Sequence, residues 1–105
     1  TCIIPFLNML HTVNKSPFTH QALQSCLRFA LPEEPIILYE DGVFAVMDGT
    51  KLQSMINNAL KKHPVYVVQA DLKARGIINV ISGVKKIDYG GFVDLVAEHK
   101  VNNWL

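Results

Sequence analysis

Short apolar runs along the chain alternate with segments in which apolar residues are spaced as in a helix. The first run, residues 3–13, ends in Met-Leu-His-Thr-Val and predicts a buried first strand. Residues 35–39 and 65–68 are rich in β-branched side chains and predict the second and third strands. Residues 84–89 alternate weakly between apolar and polar positions, which predicts a fourth strand.

Between the first two runs, apolar residues recur three and four positions apart, as on one face of an amphipathic helix. These positions are Ala22, Leu23, Cys26, Leu27 and Ala30. We expect Ser16 to cap this helix with Pro17 in its first position, and Pro32 to end it.

The same spacing predicts a second helix, with apolar positions at Leu52, Met55, Ile56, Ala59 and Leu60. Residues 43–47 suggest a short helical turn, and Asp71 is expected to cap a short helix over 72–75 that stops at Gly76. A last short helix follows Gly91, and the terminal Trp104 is expected to be exposed. Strands that alternate with helices predict an α/β domain with a parallel sheet and helices on both of its faces.

Composition agrees with a folded domain. The chain has 105 residues, of which 50% are hydrophobic and 18% charged, a balance typical of one globular domain. For so small a domain the apolar fraction is high, so either both sheet faces are covered or some apolar surface contacts another chain. With a net charge of +1 and no broad basic patch, we expect no direct binding to nucleic acid.

We also expect no membrane association, because no apolar run approaches the roughly 20 residues that a membrane-spanning helix needs. The apolar start, residues 1–10, has no basic leading segment and is too short for a secretion signal, which favours a cytoplasmic location.

The best places for chemistry are the loops that follow the strands, since ligands of open α/β sheets bind at the carboxyl ends of strands. The polar candidates there are Lys15, Ser16, Asp41, Asp48, Asp71, Lys73 and Arg75. Phosphate-binding glycine motifs and zinc-type histidine spacings are missing from the sequence, so we expect no cofactor and no metal. His11 is expected in the core and the other histidines at the surface, while a small nucleotide- or anion-binding module remains an alternative.

The remaining chemical candidate is Cys26, on the apolar stripe of the first predicted helix. A sulfur-transferring cysteine must be accessible and deprotonated, whereas a cysteine on an apolar stripe is typically a small buried hydrophobe. Both interpretations stay open at this point. Cys2 lies in the apolar leader and is interpreted as an incidental thiol.

Four blocks of the sequence occur in an order found in one known family. They are residues 9–18, MLHTVNKSPF; residues 39–43, YEDGV; residues 71–77, DLKARGI; and residues 87–95, IDYGGFVDL. The first block resembles the opening of DsrH/TusB family proteins, and the second resembles one of their turns. The last two blocks are similar to two later segments of these proteins, and the ending at Trp104 is also similar.

This resemblance implies a three-layer α/β/α domain with a mainly parallel sheet of about five strands. It also implies a subunit of a cytoplasmic sulfur-relay complex, a heterohexamer with DsrE/TusD-like and DsrF/TusC-like subunits. Such complexes pass persulfide sulfur to a DsrC/TusE-like carrier. The pathway then serves intracellular sulfur oxidation or 2-thiolation of the wobble uridine in tRNA.

The cysteine in the first helix makes the chain look closer to DsrH, and it makes Cys26 the candidate catalytic residue of a sulfurtransferase subunit. The alternative is a non-catalytic structural subunit needed to assemble the hexamer. The resemblance also implies one domain over residues 9–105. Residues 1–8 have no counterpart in the family pattern and are interpreted as an extension or as residues introduced by cloning.

Overall fold

A computed structural model describes residues 9–17, 21–31 and 33–104, and in these the predicted alternation of strands and helices is present. The elements in chain order are β1 (Met9–Val13), α1 (Ala22–Phe29), β2 (Ile36–Leu38), a 3₁₀ helix (Glu40–Val46), α2 (Gln53–Leu60), β3 (Val65–Val68), α3 (Gln69–Ala74), β4 (Lys85–Ile87), α4 (Tyr89–Glu98) and β5 (Lys100–Trp104).

The five strands form one parallel sheet in the order β4-β3-β2-β1-β5. The chain moves outward from β1 to β4 and then returns through α4, so that β5 pairs with the other side of β1. Parallel neighbours require such crossover connections, and here helices supply them. The predicted α/β class and the count of about five strands are confirmed.

The two faces of the sheet are covered unequally. Residues of α1, the 3₁₀ helix, α2 and α3 pack with one set of strand side chains into the larger core, which includes Val13, Leu38 and Val67. On the opposite face, α4 is the only helix among the described elements, and it packs Phe92 and Leu95 toward a smaller cluster of strand residues: Leu10, Ile37 and Val68. The three central strands β1, β2 and β3 supply side chains to both clusters, because successive side chains of a strand point to opposite faces of the sheet.

The turn after β2 approaches β1 so closely that one of its positions requires a glycine. A Cβ atom on Gly42 would lie only 2.3 Å from the carbonyl oxygen of Val13. The turn sequence Glu-Asp-Gly therefore brings the 3₁₀ helix against the end of β1 only because the third residue has no side chain.

Three local predictions are wrong. Helix α1 begins at Ala22 with Gln21 as its N-cap, so Ser16 does not cap it and Pro17 is not its first residue. Asp71 lies inside α3, where its carboxylate accepts a hydrogen bond from Glu40 instead of capping a helix. Trp104 is half-buried in β5, a strand that the local pattern did not predict, because a strand with few apolar residues has no periodic signal.

Within the part of the chain that the structure describes, no helix is long and apolar enough to cross a membrane. The expectations for Cys2 and for residues 1–8 as a whole lie outside the described residues.

Candidate functional site

The carboxyl ends of the strands bring several of the predicted polar residues together around Asp71. One carboxylate oxygen of Asp71, Oδ2, accepts a hydrogen bond of 2.8 Å from the backbone N–H of Glu40. The other, Oδ1, accepts a weak one of 3.5 Å from the hydroxyl of Tyr89. Asp71, in the first turn of α3, is thus tied to the first residue of the 3₁₀ helix and to the first residue of α4.

Arg75 pairs with two acidic residues of this cluster. Its Nε atom donates to Oδ1 of Asp41 at 3.0 Å, and Nη1 lies 3.7 Å from Oδ1 of Asp71. Nη1 also donates to the backbone carbonyl of Asp71 at 3.3 Å. Because Asp41 is well exposed, its ion pair contributes little stability and mainly fixes the position of the loop.

The end of β1 reaches the same cluster through Asn14. Its amide Nδ2 donates to Oε1 of Glu40 at 3.1 Å, and Glu40 has a left-handed backbone with φ of 48°. Oδ1 of Asn14 is buried without a hydrogen-bond partner among the described residues. The cluster therefore holds the turn after β2 in a strained conformation, and its charged groups are engaged with one another.

The other predicted candidates lie in three different segments. Lys15 and Ser16 are half-buried in the loop after β1, and Lys73 is exposed on α3. Asp48 lies beyond the 3₁₀ helix, where its backbone N–H donates to Asn79. The sequence therefore predicted that several of these residues share one edge of the sheet, but not which of their side chains meet.

Cys26 lies elsewhere, on the inner face of α1. Its exposed fraction is 0%, and it is part of the larger core. Burial, and secondarily the negative charge of Glu34, raise the pKa of the Cys26 thiol to about 12. In this conformation the thiol is neutral and inaccessible, the state of a small buried hydrophobe rather than of a nucleophile.

Glu34 is the buried acidic residue whose negative charge acts on the Cys26 thiol. It is 4% exposed and accepts three hydrogen bonds of 2.8 to 2.9 Å, from the backbone N–H groups of Met9 and Leu31 and from Nε2 of His11. Burial opposes ionisation, but these hydrogen bonds prevail and hold the pKa of Glu34 below its ordinary value. Three donors for one carboxylate account for a charge in the core.

His63 is buried on the other side of Glu34 and was wrongly predicted to lie at the surface. It is 5% exposed, and its Nδ1 donates to the backbone carbonyl of Glu34 at 3.0 Å. Burial is the main reason that the pKa of His63 is lowered, so its ring is neutral at physiological pH. His11, predicted to be a core residue, is indeed buried.

Sequence reasoning missed Glu34 because it stands in a Pro-Glu-Glu-Pro segment that looks like an exposed turn. Nothing local distinguishes it from Glu33, which is exposed. Among the described residues, no three histidine, cysteine or acidic side chains are grouped closely enough to hold a metal ion.

The chain is similar in sequence and in fold to known proteins. The family model described as DsrH like protein matches residues 15–102. The protein TusB of Yersinia pestis (strain Pestoides F) is 37% identical over 94 residues, which cover 88% of this chain and 95% of TusB. TusB of Shigella dysenteriae serotype 1 is 38% identical over 92 residues, which cover 87% of this chain and 94% of that protein.

Two solved structures share the fold. The crystal structure of ychN protein from E. coli superposes with a TM-score of 0.80 at 22% identity, covering 92% of this chain and 98% of that one. The protein MTH1491 from Methanobacterium thermoautotrophicum gives a TM-score of 0.67 at 16% identity, covering 90% and 96%. The fold, the family model over most of the chain and the similarity to TusB agree, and the chain belongs to the DsrH-like family.

Proposed function

We propose that this chain is a subunit that builds the assembly of a sulfur-relay complex. We also propose that Cys26 does not accept persulfide sulfur in the conformation seen here. Family membership makes the chain a subunit of such a complex. The observation that supports a structural role is the burial of Cys26, with an exposed fraction of 0% and a pKa near 12. A persulfide forms only on a thiol that its donor can reach.

The surface that we assign to assembly is the outer side of α4 with the adjacent edge strand β5. Tyr89, Val93 and Val96 follow one another along α4 at helical spacing and are 37 to 61% exposed. Val101 on β5 is paired in register with Leu10 and is 42% exposed. Apolar side chains aligned in this way are typical of a protein contact.

The occupant that we propose for this surface is a sibling subunit of the same fold, DsrE/TusD-like or DsrF/TusC-like, within a cytoplasmic heterohexamer. α4 is the only helix on its face of the sheet among the described elements, so a neighbouring chain would complete that layer. The sulfur acceptor of the complex would be a DsrC/TusE-like carrier. Neither nucleic acid nor a membrane is proposed as a direct partner of this chain.

Co-expression with sibling chains tests the assembly role. Val93→Glu places a charge in the middle of the apolar surface, and we expect it to abolish co-purification with the sibling subunits. Ile78→Glu is the matched control, because Ile78 is 83% exposed on another segment and should leave assembly intact. If both variants assemble equally well with the sibling subunits, α4 is not part of the interface.

The catalytic role of Cys26 remains a prediction and needs α1 to move. Helix α1 has only eight residues, so contact with another subunit could displace it and expose the face that carries Cys26. Persulfide labelling of the intact complex, followed by mass spectrometry, separates the two roles. We expect no label on Cys26 and undiminished sulfur transfer by Cys26→Ser; a labelled Cys26 together with impaired transfer would establish it as a carrier.

A further inference from the structure

A cleft of about 320 Å³ opens between α1 and α2, away from the strand-end cluster and from the outer side of α4. Its volume lies at the lower end of the range for small-molecule sites. Its apolar walls come from Leu27 of α1 and from Met55 and Ala59 of α2. Its polar lining comes from Asn58, Lys62 and His63.

His63 gives the cleft a fixed acceptor. Because a carbonyl can only accept, Nδ1 of His63 must carry the proton that it shares with the Glu34 carbonyl at 3.0 Å. The ring is neutral, so its other nitrogen, Nε2, has a lone pair. A ligand that hydrogen-bonds to His63 from the cleft must therefore donate an N–H or an O–H to Nε2.

Lys62 gives the same cleft a cation. Its backbone is held at both ends, since its N–H donates to Ala59 at 3.0 Å and its carbonyl accepts from Glu33 at 2.6 Å. Its positive charge acts on the His63 ring and helps to keep it neutral. None of the ion pairs found among the described residues engages Lys62, so its ammonium lacks a fixed counter-charge.

We propose that this cleft binds the unit formed by an N-acylated apolar amino acid with a free carboxylate. The carboxylate would pair with Lys62, the amide N–H would donate to Nε2 of His63, and the apolar side chain would contact Leu27, Met55 and Ala59. Asn58 can donate a second hydrogen bond to the carboxylate.

The test is a titration of the full chain with N-acetyl-leucine, followed by amide and methyl NMR. We expect saturable shifts at Leu27, Met55 and Ala59 with a dissociation constant in roughly the millimolar range, as for any ligand of about this size. N-acetyl-leucinamide lacks the carboxylate and 4-methylpentanoate lacks the N–H. Each should bind about fivefold more weakly, because the amide loses the ion pair with Lys62 and the acid loses the hydrogen bond to His63.

Lys62→Gln should weaken N-acetyl-leucine binding by about fivefold, while Lys61→Gln should not, because the neighbouring Lys61 does not line this cleft. Both lysines are exposed, so neither substitution threatens folding. The proposal is overturned if the three compounds bind equally, if the shifts lie elsewhere, or if the two lysine variants behave alike.

The same unit occurs as a free metabolite and as the carboxyl terminus of a peptide. A pentapeptide that ends in leucine distinguishes them. Binding by the peptide much more tightly than by N-acetyl-leucine would assign the cleft to a chain terminus, and equal binding would assign it to the small molecule.

Discussion

The indole Nε1 of Trp104 donates a hydrogen bond of 3.0 Å to Nδ1 of His11. Since an indole N–H can only donate, Nδ1 must be unprotonated, and His11 is the neutral tautomer with its proton on Nε2. Nε2 then donates to Glu34 at 2.8 Å, so the short contact is a hydrogen bond from a neutral ring and not an ion pair. The end of β5 is thereby joined through β1 to the loop before β2.

Trp104→Phe should lower the free energy of unfolding by about 1–2 kcal/mol, because it leaves the buried Nδ1 of His11 without a donor. Urea denaturation measures this change. Lys100→Gln in the same strand is the control, since Lys100 is exposed and its replacement should change stability by less than about 0.5 kcal/mol. Similar losses in both variants would mean that β5 responds to any substitution.

Glu34→Gln should destabilise the fold by about 2–3 kcal/mol, because an amide cannot accept from three donors and would turn its own N–H₂ toward one of them. The neighbouring Glu33→Gln is the matched control and should be nearly neutral, since Glu33 is exposed. Chemical denaturation at neutral pH compares the two. A nearly neutral Glu34→Gln would show that the carboxylate is not ionised in the fold.

Acidification should reduce stability through His63. Its pKa is lowered in the fold from an ordinary 6.5, so the unfolded chain binds a proton at a pH at which the native ring does not. The stabilisation that results from the lowered pKa of His63 is complete at pH values above the ordinary pKa of 6.5 and is lost as the pH falls below it. Glu34 adds no loss in this window, because its lowered pKa matters only below 4.5.

We therefore expect the melting temperature to fall between about pH 7.5 and about pH 5.5 and the NMR titration of His63 to have a midpoint below 6.5. A His63→Gln variant should show a flatter pH dependence over the same interval. A His63 midpoint at or above the ordinary value would contradict the assigned environment.

Gly42→Ala should destabilise the protein by about 3 kcal/mol or more, because its new methyl group would overlap the Val13 carbonyl and displace either β1 or the 3₁₀ helix. Gly90→Ala is the control. At Gly90 the nearest atom to an added Cβ is Oδ1 of Asp88 at 3.4 Å, so the change should stay within about 1 kcal/mol. Thermal unfolding of both variants measures the difference.

Cys26 should react slowly with thiol reagents in the native protein. With a pKa of about 12, only about one thiol in 10⁵ is ionised at neutral pH, and burial limits access further. A Cys2→Ser variant isolates the signal of Cys26. We expect its reaction with a chromogenic disulfide to be at least about 100-fold slower without urea than in urea. Comparable rates would show that α1 opens readily.

The sequence by itself determined the fold class and the family. The periods of apolar residues indicate parallel strands joined by helices, since burial on one helix face or on two sheet faces imposes these spacings. The local pattern located β3 at Val65–Val68 and α2 to within one residue. Four ordered blocks then indicated the DsrH-like family, which the comparisons confirm.

Only the tertiary structure decided which residues meet. Glu34 and Glu33 are identical in type and adjacent in sequence, but three donors from β1 and from the loop after α1 surround only Glu34. Trp104 lies in β5 and contacts His11, 93 residues earlier in the sequence, because β5 pairs with β1. Burial and pKa are properties of the whole packed chain, so periodicity could place Cys26 on an apolar face but could not show how completely that face is covered.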